Sequence, residues 1–230
     1  MLLTLLLPLG TLVVIPFFLY LVGATIVGGL AGAALGALIA ALLTCLSQPN
    51  KETKKIVVLG MKGAGKTTLW NSLRGIQGEA KATQIERIRE FELTKNNGEV
   101  VKICESYDIG GGDEYVAEYY KTLIERDTFV YFVVRLDQIN DKEVLRKIKA
   151  RLDRITKSKK ENNIPDNNFG LKFVATHLDM VGLSKEQVLN ELDQKLKIKP
   201  SHVLVGSLVG SGTLAEEVKN DIVEGIRIDN

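Results

Sequence analysis

Two hydrophobic patterns divide the chain. From Met1 to Leu46 apolar residues run almost unbroken, and no Asp, Glu, Lys or Arg occurs before Lys51. Beyond Asn50 the apolar residues gather into short runs separated by amphipathic stretches. Ile56-Val57-Val58-Leu59, Phe129 to Val134, Leu171 to Ala175 and His202 to Val205 read as buried strands. Phe91 and Leu93 share one face of a further strand, Lys95-Asn96-Asn97-Gly98 is a hairpin turn, and Val100 to Tyr107 is the returning strand. Helical spacing appears at Leu69, Trp70 and Leu73, and again from Tyr115 to Ile124. It recurs at Val144, Leu145, Ile148, Leu152 and Ile155, from about Ser184 to Leu196, and at Leu214, Val218, Ile222 and Ile226. Gly75 to about Glu86 and Asn162 to Asn168 read as polar loops. The alternation predicts an α/β domain with a mostly parallel six-stranded sheet and one antiparallel edge strand.

As one helix, the first 46 residues would reach roughly 69 Å, more than twice the ~30 Å hydrocarbon core. Two transmembrane helices, about 2–21 and 24–46, fit better and make residues 1–50 a hairpin anchor ahead of a domain at 51–230. Lys51, Lys54 and Lys55 follow at once, which places that domain on the cytoplasmic side. The segment lacks a basic n-region and is too long for a secretory signal, and Leu2 stands where myristoylation needs glycine. Ala24, Gly28, Gly32, Gly36 and Ala40 recur every four residues, a small-residue stripe suited to close helix packing within the hairpin or between copies.

Chemistry concentrates where strands end. Gly60-Met61-Lys62-Gly63-Ala64-Gly65-Lys66-Thr67-Thr68 reads G-x-x-x-x-G-K-T between a strand and a helix, the phosphate-binding P-loop. Glycine lets backbone N–H groups approach phosphate oxygens, and the helix N-terminus adds positive potential there. Lys66 would reach the β and γ phosphates, and the Thr67 hydroxyl would bind Mg²⁺. Asp108-Ile109-Gly110-Gly111 is D-x-x-G after a strand: the carboxylate can hold Mg²⁺ through water, and the Gly111 N–H can report a γ-phosphate. Thr83, sixteen residues after Thr67, is placed to close on Mg²⁺ and γ-phosphate. Thr176-His177-Leu178-Asp179 is similar to the [N/T]-K-x-D element whose Asp accepts hydrogen bonds from guanine, with His177 replacing the usual Lys. Ser207 and Leu208 stand where a base-contacting loop belongs.

In order and spacing these motifs resemble the Ras superfamily of small GTPases, over about residues 54 to 228. The run G-x-x-x-A-G-K-T-T and the D-x-G-G element look like the Arf branch and its relative, the signal-recognition-particle receptor β subunit. The resemblance implies a P-loop NTPase fold of the small-GTPase kind, GTP and GDP as ligands, Mg²⁺ as cofactor, and a switch with exchange, activating and effector proteins as partners. Lys66, Thr83 and Gly111 are the expected catalytic residues. A membrane GTPase of the wider P-loop class would carry the same motifs. So would an assembly protein whose Gly-rich hairpin oligomerises under nucleotide control. In the family a Gln usually follows D-x-x-G and orients the attacking water; here the position is Gly112, which implies slow hydrolysis.

The net charge of +2 names no partner. Nine Lys and Arg residues between Lys142 and Lys160 read as a solvated basic face or a contact with anionic lipid. No aromatics are interleaved with them, so nucleic acid is not expected. Cys45 and Cys104 have neither disulfide-framework nor metal-ligand spacing, and both read as reduced.

Overall fold

The computed structural model describes residues 52–77, 84–209 and 213–224. The two expected membrane spans, the glycine stripe with Gly28, Gly32 and Gly36, and also Cys45, Lys81, Thr83 and Ile226, lie outside the described residues. Among the described residues no helix is long and apolar enough to cross a membrane.

The sheet is built outward from β1 (Glu52–Gly60). Its last five residues are buried without alternation, as expected of a parallel strand covered on both faces. β4 (Val100–Ile103) and β6 (Thr128–Arg135) flank it in parallel, followed by β7 (Phe169–Thr176) and β8 (Val203–Val205). β3 (Phe91–Thr94) closes the other edge, antiparallel to β4 through the Lys95–Gly98 turn. The order β3-β4-β1-β6-β7-β8 is the expected six-stranded sheet with one antiparallel edge.

Five helices among the described residues cover it: α1 (Lys66–Leu73), α2 (Asp113–Leu123), α3 (Lys142–Glu161), α4 (Lys185–Leu196) and α5 (Leu214–Val223). α1 packs on α5, and α3 packs on both α2 and α4. Two of these starts have a side-chain cap. Asp141 caps α3 by accepting from the N–H of Glu143 and Val144, and Ser184 with Gln187 forms a capping box on α4.

Two expectations about the hairpin side need correction. Ile85 and Glu86 do not belong to a loop but open β2 (Ile85–Ile88). The returning strand is also not continuous: β4 ends at Ile103, and Ser106–Ile109 forms β5, which pairs antiparallel with β2. β2 buries only Ile88, so it carries no alternating signal, and its backbone bonds come from a partner some twenty residues away. Between the two halves, Cys104 still donates its N–H to Lys54 O at 2.9 Å. β5 then continues beside β1 while taking its ladder bonds from β2.

The register brings the functional ends together. Gly60 lies opposite Val133, Arg135 opposite Thr176, and Ala175 opposite Val205. The loops after β1, β6, β7 and β8 therefore open on one edge of the sheet, where ligands of open α/β folds bind.

Candidate nucleotide-binding site

The P-loop segment begins at Gly60, where β1 stops. Its φ is +142°, and a Cβ there would stand 2.1 Å from Val133 O, so only glycine fits between β1 and β6. Gly63 and Gly65 also take positive φ, and Gly65 is the residue before α1. Met61 N–H donates to Val133 O at 3.1 Å, fixing the loop to the sheet. Ala64 is buried, Lys62 is exposed, and Thr68 is half-buried in the first turn of α1.

Lys66 is only 6 % exposed. Its ammonium donates to Met61 O at 3.1 Å. Burial lowers it to about 8; Asp108 pulls the other way, and Arg151 adds to the lowering. Asp108, 1 % exposed at the end of β5, accepts from the Thr67 hydroxyl at 2.5 Å through Oδ2. Burial raises the Asp108 carboxyl above its usual range, opposed by the Thr67 bond and by Lys66. Its Oδ1 is buried with no hydrogen-bond partner. Gly111 comes down on the P-loop so closely that a Cβ would meet Lys62 N at 2.3 Å. The P-loop, Asp108 and Gly111 are thus one cluster, assembled from β1, α1 and β5.

A second cluster lies at the ends of β7 and β8. The buried Thr176 hydroxyl lies 3.0 Å from Ala64 O and 3.1 Å from Val134 O, so its one proton ties β7 to the P-loop or to β6. His177 Nδ1 is 2.7 Å from that oxygen, and the residue takes the left-handed conformation at φ 63°. Half-burial lowers its pKa, with Arg135 in the same direction and Asp137 and Asp179 opposing. Asp179 is exposed on the short turn Leu178–Met180. Ser207 Oγ donates to its carboxylate and accepts from Asp179 N–H at 3.3 Å. That hydroxyl is the main cause of the lowered Asp179 carboxyl. Leu208 packs across to the P-loop, its Cδ1 2.8 Å from where a Cβ on Gly65 would stand.

A family model, "ADP-ribosylation factor family", matches residues 39–220 of this sequence. The chain belongs to the ADP-ribosylation factor family. The match begins fifteen residues before the stretch that the motifs alone cover, within the apolar segment. Among solved structures the chain is similar to "Signal recognition particle receptor SRb-GTP/SRX complex from Chaetomium thermophilum". That likeness has a TM-score of 0.54 at 15% identity and covers 74% of this chain and 97% of that chain, so it shows the fold. No curated protein sequence matches.

As a member of the ADP-ribosylation factor family the chain is a GTPase with GTP and GDP as its nucleotides and Mg²⁺ as its metal. The residues present fit that metal: a buried carboxylate oxygen on Asp108 has no partner in the protein, and its twin already orients the Thr67 hydroxyl. Asp108 and Thr67 are the described residues that could hold it.

One residue of this cluster is missed by sequence reasoning. Arg151 counts there as one of nine charges on a basic face, yet it is 4 % exposed. Its Nη1 donates to Gly60 O and its Nη2 to Gly111 O and Asp113 Oδ1, each at 2.7 Å. The signal that could have found it is positional: Arg151 occupies the i+3 slot after Ile148 and precedes Ile155 by four, all buried on α3. Some of the remaining charges are paired. Lys147 pairs with Asp113, and Arg154, with Lys157, pairs with Glu161.

Proposed function

We propose that this family member is a membrane-anchored nucleotide switch with slow intrinsic GTP hydrolysis. The observation that carries the switch is the contact of Gly111 with the P-loop backbone. A loop that can pack there only as glycine responds to whatever occupies the adjoining phosphate position. In this reading Gly60, Lys62, Gly63, Ala64, Gly65 and Thr68 form the phosphate cradle, and Lys66 neutralises the β and γ oxygens. Thr67 and Asp108 hold Mg²⁺, joined by Thr83, which lies outside the described residues. The bound ion neutralises phosphate charge. Asp179, braced by Ser207, reads the guanine edge, while Thr176, His177 and Leu208 shape the wall beside it.

Slow turnover is inferred from Gly112, which has no side chain to orient water. The space beside it is taken by the Glu114 carboxylate, 2.2 Å from where a Cβ would stand. A carboxylate at that position is repelled by a γ-phosphate rather than serving it. The full chain with Mg²⁺ and no partner is expected to hydrolyse bound GTP at ~10⁻⁴ s⁻¹ or below in single turnover. A rate near 1 s⁻¹, typical of a completed site, would overturn the slow-switch reading.

The anchor is inferred from the uncharged segment before Lys51, whose length suits two spans with the GTPase domain in the cytoplasm. Membrane lipids are then constant neighbours, and effector, exchange and activating proteins the regulated ones. The chain is expected to stay with membranes through high-salt and carbonate washes; release by either removes the two-span anchor. Cross-linking that finds a nucleotide-independent oligomer, unchanged in Lys66→Ala, would favour assembly through the Gly28, Gly32 and Gly36 stripe over switching.

A further inference from the structure

Arg151 joins two loops that have no covalent reason to move together. Gly60 is the last residue of β1 and opens the P-loop, while Gly111 closes the D-x-G-G element some fifty residues later. One planar guanidinium receives both carbonyls, and it adds the Asp113 carboxylate at the start of α2. A lysine ammonium could not reproduce this fork, because its donors diverge from a single nitrogen.

The arrangement is expensive to bury. A guanidinium taken out of water loses its hydration, and Arg151 Nε has no hydrogen-bond partner among the described residues. Two carbonyls and one carboxylate offset part of that loss, and the carboxylate is itself largely in solvent, its side chain 66% exposed. An apolar residue in the Ile148–Ile155 stripe would pack without this cost. Tyr120 completes the surround: burial pushes its phenol up to about 12, with Arg151 and Gly60 beside it.

The geometry also fixes a peptide plane. Arg151 holds the carbonyl of the Gly111–Gly112 peptide, and in a trans peptide the Gly112 N–H points the opposite way, away from the guanidinium. Releasing Nη2 would free that plane to rotate, since both its residues are glycine.

We propose that Arg151 is a positioning residue that couples the D-x-G-G loop to the P-loop, holding Gly111 closed against Gly60 in the triphosphate-binding arrangement. The proposal rests on the reading of Gly111 as the γ-phosphate reporter. It predicts a selective effect: loss of the clasp weakens binding of the triphosphate and leaves the diphosphate nearly untouched. A role in stability alone would weaken both together.

The test measures equilibrium affinity of the full chain, in detergent, for GDP and for a non-hydrolysable GTP analogue with Mg²⁺ present. Arg151→Gln is expected to lower the ratio of triphosphate to diphosphate affinity about tenfold, within the usual range of coupling between sites. Arg151→Lys, which can keep one of the contacts, should fall between. Asp113→Asn removes only an exposed anchor of the clasp and should shift the ratio about threefold in the same direction. Where the Arg151 variants do not fold, Asp113→Asn decides. An unchanged ratio, or equal weakening of both nucleotides, overturns the proposal. Gly111→Ala separates the two readings, because its methyl group would meet Lys62 N. If Gly111→Ala lowers the ratio and the Arg151 and Asp113 variants do not, the coupling alone fails. If Gly111→Ala leaves the ratio unchanged, the γ-phosphate reading fails with it.

Discussion

At the proposed phosphate end of the site Lys66, Asp108 and Arg151 lie buried within one packed cluster, with Lys62 and Asp113 exposed at its rim. At the proposed base end Asp179 stands in solvent on a three-residue turn, held by a serine from the next loop. The phosphate end is built from the carboxyl ends of β1 and β5 and from the backbone of the P-loop between β1 and α1. The base end hangs on loops after β7 and β8, joined to the rest through Thr176 and Leu208. A phosphate is the same in every nucleotide and suits a rigid cradle. A base must be told from another base, and side chains on loops do that.

The comparison breaks first at Lys66. Lys66→Ala is expected to weaken triphosphate binding by roughly 10²–10³-fold, the usual loss when one partner of a buried charged contact is truncated. Equilibrium binding of the full chain checks it, and a loss of only a few-fold would mean that the backbone cradle carries the affinity alone.

The same residue makes a prediction about stability. Its folded pKa of about 8 lies below the usual lysine value of 10.5, so between these the unfolded chain binds more protons. Stability of the nucleotide-free protein should therefore rise as pH increases from about 8 towards 10.5, by about 3 kcal/mol at most from this group. Below pH 8 the full penalty of the buried charge is present. Thermal unfolding of the nucleotide-free chain from pH 7 to 10 should show the rise, and Lys66→Met should abolish it while raising stability at pH 7.

At the base end the effects are smaller and selective. Asp179→Asn should reduce the preference for GTP over ATP by about 10- to 100-fold, the worth of one or two charge-assisted hydrogen bonds, and leave the phosphate cradle intact. Competition of the two nucleotides measures it; an unchanged preference would move the base pocket elsewhere. Ser207→Ala removes only the brace behind Asp179. It should cost about 1 kcal/mol of GTP affinity, a few-fold, with the ATP affinity unmoved.

Much of this was legible in the chain. The alternation of apolar runs and amphipathic stretches yields the six-stranded sheet and its antiparallel edge, because a strand buried on both faces needs an unbroken apolar run. The P-loop and D-x-G-G element are legible because they are sequence-local: glycine at Gly60, Gly63, Gly65 and Gly111 is required by backbone geometry. The β2–β5 ladder was hidden, since β2 buries one residue and its bonds are supplied by a distant segment. His177 is visible as a departure from the family's usual Lys, but its left-handed backbone and its closeness to Thr176 are not.

Arg151 marks the boundary between the two kinds of information. The sequence by itself determined that α3 is an amphipathic helix of high positive charge, because helical period and charge are properties of neighbours along the chain. Helical period sets Arg151 between Ile148 and Ile155, but it could not determine what a guanidinium would meet there. That depended on two carbonyls, Gly60 O and Gly111 O, left facing α3 by turns 91 and 40 residues away. Only the packed structure brings those acceptors within reach of a single side chain, and its hydrogen bonds to them and to Asp113 offset part of what the guanidinium loses on leaving water.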